Sequence, residues 1–214
     1  MDDGTDLELL ERWGDGDGKA GEALARRYFV AVRAYFMTKV PFDYEDLVQE
    51  TFSRLLRRRE SFQGRSSFRV FLFGIAHMVL LEFFRRKRRN ERFEPMESSA
   101  ADLDGGRASS IMAEREHHRI LFEALRSLVL REQELLELYY WQGLTAGEIA
   151  ALHEAPEPTV RTRIRAALKR LGKAYFELST TTHDRGADED DFEGWMKEIQ
   201  AGLGDLRVAA PPPA

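Results

Sequence analysis

Apolar residues recur at helical spacing along almost the whole chain of 214 residues. No segment alternates apolar and polar side chains over more than a few positions, so the pattern of a half-buried strand is almost missing. We therefore predict an all-α protein. The predicted helices cover residues 6–13, 19–40, 44–59, 67–89, 110–127, 131–142, 145–153 and 156–176. Pro41 is expected to close the second helix and Asp43 to cap the third.

Small, polar and acidic residues interrupt this helical pattern between positions 93 and 110, which predicts a flexible linker. The chain is thus expected to form two small helical domains, at residues 1–92 and 111–178, with an acidic linker at 93–110 between them. A C-terminal extension follows at residues 179–214; it is acidic and ends in a Pro-rich stretch.

The charge of the chain is strongly segregated, although its formal net value is only −5. Between positions 54 and 92 there are twelve Lys or Arg residues against three Glu, and between 157 and 175 six against one. Two basic patches separated by acidic segments favour a polyanion held at two points. Two solvated helix faces would give the same charges.

Several functional classes are excluded by composition. The chain has no cysteine, which removes disulfide frameworks and thiolate chemistry and suits a reducing compartment. Its longest apolar run is too short to span a bilayer, and the first residues are acidic where a signal peptide would be cationic and then apolar. We expect a cytoplasmic, non-enzymatic protein with no cofactor, no metal and no membrane insertion.

Residues 143–171 carry the most specific local pattern. Thr145 and Glu148 are spaced as a capping box, with Leu144 and Ile149 placed as a hydrophobic staple. A break at Glu154 leads into a second, basic helix. A short helix, a tight turn and a basic helix predict a helix-turn-helix that enters a major groove; an ordinary helical hairpin with a basic face is the alternative.

The first domain combines an acidic helix with an aromatic and cationic one. Asp46, Gln49 and Glu50 lie opposite the apolar face of the 44–59 helix. The 67–89 helix is apolar nearly all round and ends in a run of five Lys or Arg residues. Rings beside cations suit unpaired bases and their backbone. A buried core helix with a solvated basic end would show much the same sequence.

These segments together resemble bacterial sigma factors of the extracytoplasmic-function group. Residues about 20–92 look like region 2 of that family and residues about 120–176 like region 4. The resemblance rests on residues 45–52 (EDLVQETF), 67–76 (SFRVFLFGIA), the basic run to Arg89, 148–150 (EIA) and 159–168 (TVRTRIRAAL).

The resemblance implies a function and a set of site residues. A sigma factor directs core RNA polymerase to promoters, so the implied partners are core polymerase and promoter DNA, as duplex and as melted strand. An anti-sigma factor, or the chain's own C-terminal extension, is a further candidate partner. The implied polymerase contacts are Asp46, Gln49 and Glu50. The implied minus-ten contacts are Arg65, Ser66, Ser67, Phe68, Phe71, Arg85, Arg86 and Arg88. The implied minus-thirty-five contacts are Arg161, Thr162, Arg163, Arg165 and Lys169.

Some positions depart from the family pattern. Phe71 stands where Trp is usual, and His77 with Met78 replaces a usual Arg-Asn pair. Glu154 occupies a turn position usually held by Gly, which predicts a slightly remodelled turn.

Two other functions fit the same residues. The chain could be a helix-turn-helix regulator that binds only duplex DNA, or a protein that binds polymerase without opening promoters.

The C-terminal extension carries an amphipathic pattern, because Phe192, Trp195, Met196, Ile199 and Leu203 fall at helical spacing. An inert acidic tail and an amphipathic helix that covers basic surface both agree with that segment.

Overall fold

The first domain is a bundle of α-helices in the computed structural model, which describes residues 4–40, 42–62, 64, 66–87, 96, 98–100 and 116–180. Its helices are α1 (Asp6–Gly14), α2 (Gly18–Met37), α3 (Tyr44–Arg58) and α4 (Phe68–Lys87), with a short 3₁₀ turn at Arg59–Ser61. Helix α4 is apolar nearly all round because it fills the centre, where Leu72, Phe73 and Leu80 are fully buried. The other helices pack around it or on α2.

The second domain is built around one long helix. It contains α5 (Glu116–Ser127), α6 (Leu130–Leu136), α7 (Ala146–Leu152) and α8 (Glu157–Thr180). Helix α8 packs against the other three. Its buried residues Val160, Ile164, Ala167 and Leu171 follow helical spacing, which leaves the opposite, basic face outside. The buried apolar residues of the two domains form one continuous cluster.

The all-α prediction is confirmed for the described residues, which hold no strand and only an isolated bridge between Ser99 and Val129. Helix boundaries differ from prediction by a few residues. Helix α2 ends at Met37 rather than at residue 40, and α8 continues to Thr180 rather than 176. The predicted 131–142 helix changes at Glu137–Trp141 into a π-helical turn, closed by a hydrogen bond from Gln142 N to Glu137 O at 2.9 Å.

Two predicted caps had different outcomes. The capping box of Thr145 and Glu148 is present with both of its hydrogen bonds. The predicted cap at Asp43 is wrong, because its side chain makes no capping hydrogen bond. Its backbone angles, φ −112° and ψ 11°, are not the extended ones from which an N-cap side chain reaches the first free amides.

Part of the predicted linker packs against the second domain. Met96 and Ala100 are buried, and Leu130 N donates to Ser98 O at 2.8 Å. The rest of the predicted linker and the start of the 110–127 helix lie outside the described residues, as does Pro41. The predicted C-terminal extension is described only at residues 179 and 180, where it continues α8.

The turn between α7 and α8 keeps the geometry that glycine favours, although Glu154 occupies it. Glu154 has φ +51°, and no other described non-glycine residue has a positive φ. The turn is therefore not remodelled to suit Glu, and the expectation of a changed turn is wrong. The strain is retained because the helices on both sides are fixed by packing.

Replacing Glu154 with Gly should stabilise the protein. Left-handed backbone costs a residue with a Cβ about 1–2 kcal/mol in the folded protein. Glycine removes this strain, but it also raises the conformational entropy of the unfolded chain, which offsets about 0.4–1 kcal/mol of the gain. The free energy of unfolding in urea should thus rise by about 0.5–1 kcal/mol for Glu154→Gly. Glu154→Ala, which keeps the Cβ, is the control; equal stability of the two variants would contradict the strain.

Candidate functional site

The outer side of α3 carries the three predicted polymerase contacts. Asp46 and Gln49 are exposed and Glu50 is half-buried. Asp46 and Glu50 line a groove of about 580 Å³ between α3 and α4, which also contains Arg54, Glu82 and Lys87. The groove therefore presents carboxylates and cations side by side on a surface open to a partner.

Arg54 organises this groove. Its Nε donates to Glu50 Oε1 at 2.6 Å, and its two terminal nitrogens donate to the two oxygens of Glu82 at 2.7 Å each. These hydrogen bonds are the main cause that lowers the pKa of Glu50 and of Glu82 below the ordinary value. The bidentate pair connects α3 to α4 and holds Glu50 in place.

The predicted minus-ten residues of the loop and the first turn lie around the start of α4. Phe71 is half-buried, with its ring centroid 5.1 Å from that of Phe62. Phe68 is only 2% exposed and packs on Tyr28 at 5.5 Å, so in this conformation its ring belongs to the core. Ser66 and Ser67 are exposed.

The cationic end of α4 is solvated where the structure describes it. Arg85 and Arg86 are exposed. Arg86 lies 3.5 Å from Glu82 across one helical turn. Arg65 and Arg88 lie outside the described residues.

All the predicted minus-thirty-five residues share the exposed face of α8. They are Arg161, Thr162, Arg163, Arg165 and Lys169. Arg161 Nε donates to Glu157 Oε1 at 2.9 Å within the helix. The capping box starts α7 on the preceding side of the turn, so the short helix and the basic helix form the parts of a helix-turn-helix.

Comparisons with known proteins agree with this geometry. The family model for Sigma-70 region 2 matches residues 23–90, and that for Sigma-70, region 4, matches residues 118–171. The ECF RNA polymerase sigma-E factor of Escherichia coli (strain K12) is 32% identical over 169 residues, which cover 75% of this chain and 88% of that protein. The sigma-E factor of Haemophilus influenzae is 31% identical, with 75% and 89% covered.

The chain belongs to the extracytoplasmic-function group of the sigma-70 family. It is a sigma factor that directs core RNA polymerase to promoters, and the two alternative functions are not favoured. Sigma factors are in general non-enzymatic initiation factors. No helix in the described part of this sigma factor is long and apolar enough to cross a membrane.

A solved structure shows the same fold. It is the sigma factor RpoE from Bartonella quintana in complex with the anti-sigma factor NepR, with 23% identity and a TM-score of 0.56. The likeness covers 72% of this chain and 94% of that one.

The structure of this sigma factor also brings its two DNA-binding parts into contact, which the sequence did not predict. Ser67 Oγ donates to Glu148 Oε1 of the capping box at 2.9 Å, and Arg69 Nη1 donates to Gln142 O at 2.6 Å. Arg126 Nη1 donates to Thr38 O at 2.7 Å on another part of the same interface. The predicted minus-ten loop is thus partly held by the second domain.

A buried polar cluster at this interface was not predicted from the sequence. Its members are Tyr35, Lys39, His77, Glu134, Glu137 and His153. The available signal was three polar residues, Gln133, Glu134 and Glu137, spaced on one side of a helix that also carries Arg131 and Glu132. A solvated helix face has the same spacing, so only tertiary structure distinguishes the two.

Replacing Arg54 with Met should loosen the α3–α4 pair. Hydrogen bonds between charged groups contribute about 1.5–3 kcal/mol, which partial exposure of Arg54 and Glu82 reduces to about 1 kcal/mol. Urea unfolding at neutral pH should show that loss for Arg54→Met. Arg57→Met, which removes a more exposed Arg of the same helix, is the control.

The same loss should depend on pH. The pKa of Glu50 and Glu82 is lowered in the folded protein. Their stabilisation is therefore complete above the unfolded pKa and disappears as the pH falls through the folded one. The difference between wild type and Arg54→Met should shrink in acid; a difference that is constant with pH would contradict the assignment.

Proposed function

We propose that this sigma factor works through three surfaces, of which the first two meet at Arg86 in the groove between α3 and α4. The outer side of α3 binds core polymerase through Asp46, Gln49 and Glu50, of which Asp46 and Glu50 line the groove. The loop before α4, with Phe71 and the cationic end of that helix, captures the melted minus-ten strand. The exposed face of α8 reads the minus-thirty-five element as duplex.

The basic face of α8 is the observation that carries this proposal. Four cations and Thr162 are exposed on it, while the opposite face of the same helix is in the core. Arginines near the start of a recognition helix have the fork geometry that pairs with guanine edges, and cations further along can hold phosphates. Here Arg161, Arg163 and Arg165 fill the first role and Lys169 the second.

The minus-ten assignment is supported by a different chemistry. The ring of Phe71 is half-buried beside exposed Ser66 and Ser67, and Arg85 and Arg86 are exposed at the other end of α4. An aromatic ring and cations on one element suit unpaired bases and their backbone, because every base has a face to stack. Arg65, Ser67 and Arg88 complete this surface in the proposal, and Phe68 joins it only if its ring leaves the core position that it has in this conformation.

The role of a sigma factor also implies where the protein acts, which segments work as units and which further partner it has. The protein supplies no catalytic residue, because the polymerase performs the chemistry, and it acts in the cytoplasm, where a reducing environment suits a chain without cysteine. The working units are residues 1–92 and 111–178, with the linker at 93–110 and the extension at 179–214. An anti-sigma factor is a further partner, by analogy with the Bartonella quintana complex.

Reversing a charge at the polymerase surface should weaken polymerase binding. Asp46 is exposed and lines the groove, so Asp46→Lys places a cation where the proposal needs an anion. The affinity for purified core polymerase should fall roughly tenfold, since like charges across an interface cost free energy. Glu45→Lys makes the same change at an exposed neighbour that does not line the groove. If the two variants bind core equally well, Asp46 is not a contact.

Removing Arg165 should weaken binding to minus-thirty-five duplex. The loss of a bidentate base contact costs about 1–3 kcal/mol and relaxes specificity at one base pair. Holoenzyme binding to duplex promoter fragments, measured at one fixed salt concentration, tests this for Arg165→Ala. Lys173→Ala is the matched control, because Lys173 is an exposed cation further along α8. An equal loss for both variants would leave only a general phosphate attraction.

A further inference from the structure

Glu134 of α6 is a buried carboxylate whose partners come from both domains. Its side chain is 1% exposed. Tyr35 of α2 donates its hydroxyl to Glu134, and His77 Nδ1 of α4 lies 2.9 and 3.0 Å from the two carboxylate oxygens. His153, directly after α7, places Nε2 3.4 Å from Glu134 Oε2 without completing a hydrogen bond. The two imidazole centroids are 5.2 Å apart.

A second buried ion pair lies beside this cluster. Lys39 Nζ of the first domain pairs with Glu137 of the second, and it also donates to Tyr35 O at 2.8 Å. Further charges act on the histidines from the packed elements: Lys39 and Arg85 on His77, and Arg131 and Arg163 on His153. The interface therefore contains a buried ion pair, Lys39 with Glu137, beside the cluster of Glu134 and the two histidines.

The pKa values of the three groups are shifted in different directions in this conformation. Burial alone would lower the pKa of His77, but the charge and the hydrogen bond of Glu134 outweigh it, so the pKa is raised. Burial also acts on His153, where no hydrogen bond compensates, and its pKa is lowered. Burial alone would raise the pKa of Glu134, and the histidines and Tyr35 lower it to about 2. The cluster is thus neutral when Glu134 is ionised and one histidine carries a proton.

The contact covers part of the surface that the proposed function assigns to the minus-ten strand. The Ser67 hydroxyl donates to Glu148, and the guanidinium of Arg69, two residues further along, donates to the carbonyl of Gln142. A single strand cannot use these groups while the second domain holds them. Separation of the domains is therefore a condition for promoter opening, if the proposed function is correct.

We propose that Glu134, His77 and His153 form a proton-dependent latch that holds the two domains closed over the minus-ten loop, and that the latch is strongest in a limited pH window. When neither histidine is protonated, Glu134 is a buried anion with no cationic partner in the cluster, and only hydrogen bonds such as that of Tyr35 compensate it. When both are protonated, one buried cation lacks a partner. Either departure favours the open protein, where water solvates all three groups.

The pH window follows from the two opposite shifts. Protonated His77 stabilises the closed protein; this stabilisation is complete below the ordinary histidine pKa and is lost as the pH rises through the raised pKa of His77. Protonation of His153 destabilises the closed protein; this destabilisation is complete below the lowered pKa of His153 and vanishes above the ordinary histidine pKa. Closure should therefore be greatest near the ordinary histidine pKa of about 6.5 and weaken on both sides.

Energy transfer between the domains of the full chain tests this directly. The chain has no cysteine, so single cysteines at exposed Glu22 of α2 and Lys173 of α8 accept a dye pair. Transfer from about pH 5 to about pH 8 should pass through a maximum. Glu134→Gln should reduce the closed-to-open ratio by about tenfold, as for a lost hydrogen bond between charged groups. Glu132→Gln, on the same helix but paired with Arg170 of the same domain, should leave the profile unchanged.

The two histidine variants separate a latch from simple packing. His77→Asn should abolish the maximum and leave a closed fraction that only falls in acid. His153→Asn should remove the acid limb and leave a closed fraction that only falls in alkali. A flat profile for wild type, or unchanged profiles in all three variants, would overturn the latch.

A separate measurement distinguishes failure of the latch from failure of the proposed function. Binding of a minus-ten single strand by the holoenzyme, and of minus-thirty-five duplex through α8, is measured for wild type and Glu134→Gln. If closure changes with pH but neither DNA is bound, the latch stands and the proposed function fails. If both DNAs are bound and closure does not respond to pH, the function stands and the latch is overturned.

Discussion

The arrangement of the two domains depends on how one buried carboxylate is compensated. An ionised carboxylate without partners inside a protein costs several kcal/mol, and removing one partner of a buried pair is strongly destabilising. Glu134 meets this requirement through Tyr35 and His77 of the first domain and His153 of its own domain. Its compensation therefore depends on contact between the two domains.

This constraint explains why the two DNA-binding surfaces differ in exposure. The basic face of α8 is exposed to solvent. The loop before α4 lies against the capping box of α7, where Ser67 and Glu148 share a hydrogen bond. Glu148 thus has two functions in the closed protein, since it caps its own helix through Thr145 and contacts the other domain. In the proposed function, the duplex-reading face is therefore open in this conformation, whereas strand capture needs a change in domain arrangement.

The sequence was sufficient for the features that depend on local chemistry. Helical spacing predicted the described helices to within a few residues, and the spacing of Thr145 and Glu148 predicted a capping box that the structure contains. The exposed row on α8 followed from the same periodicity. These features are set by neighbours within one or two helical turns, which a sequence displays directly.

The features that failed or escaped prediction depend on tertiary contacts. Asp43 has the right residue type for a cap, but its backbone just before α3 is not extended and its side chain makes no capping hydrogen bond. Glu154 keeps a left-handed backbone because packing on both sides demands it. Lys39, Glu134 and Glu137 look like solvated residues in the sequence, and their burial follows only when the domains meet. Long-range polar compensation of this kind has no local signature.

Hydrogen exchange of the full chain, free and bound to core polymerase, is the most direct test of this account. Its central claim is that the second domain covers the minus-ten loop in the free protein and leaves it in the holoenzyme. The account predicts that amides of residues 67–71 and 145–149 are protected together in the free chain and lose protection together on binding core. If both segments keep their protection in a holoenzyme that transcribes, or if they change independently, the claim is contradicted.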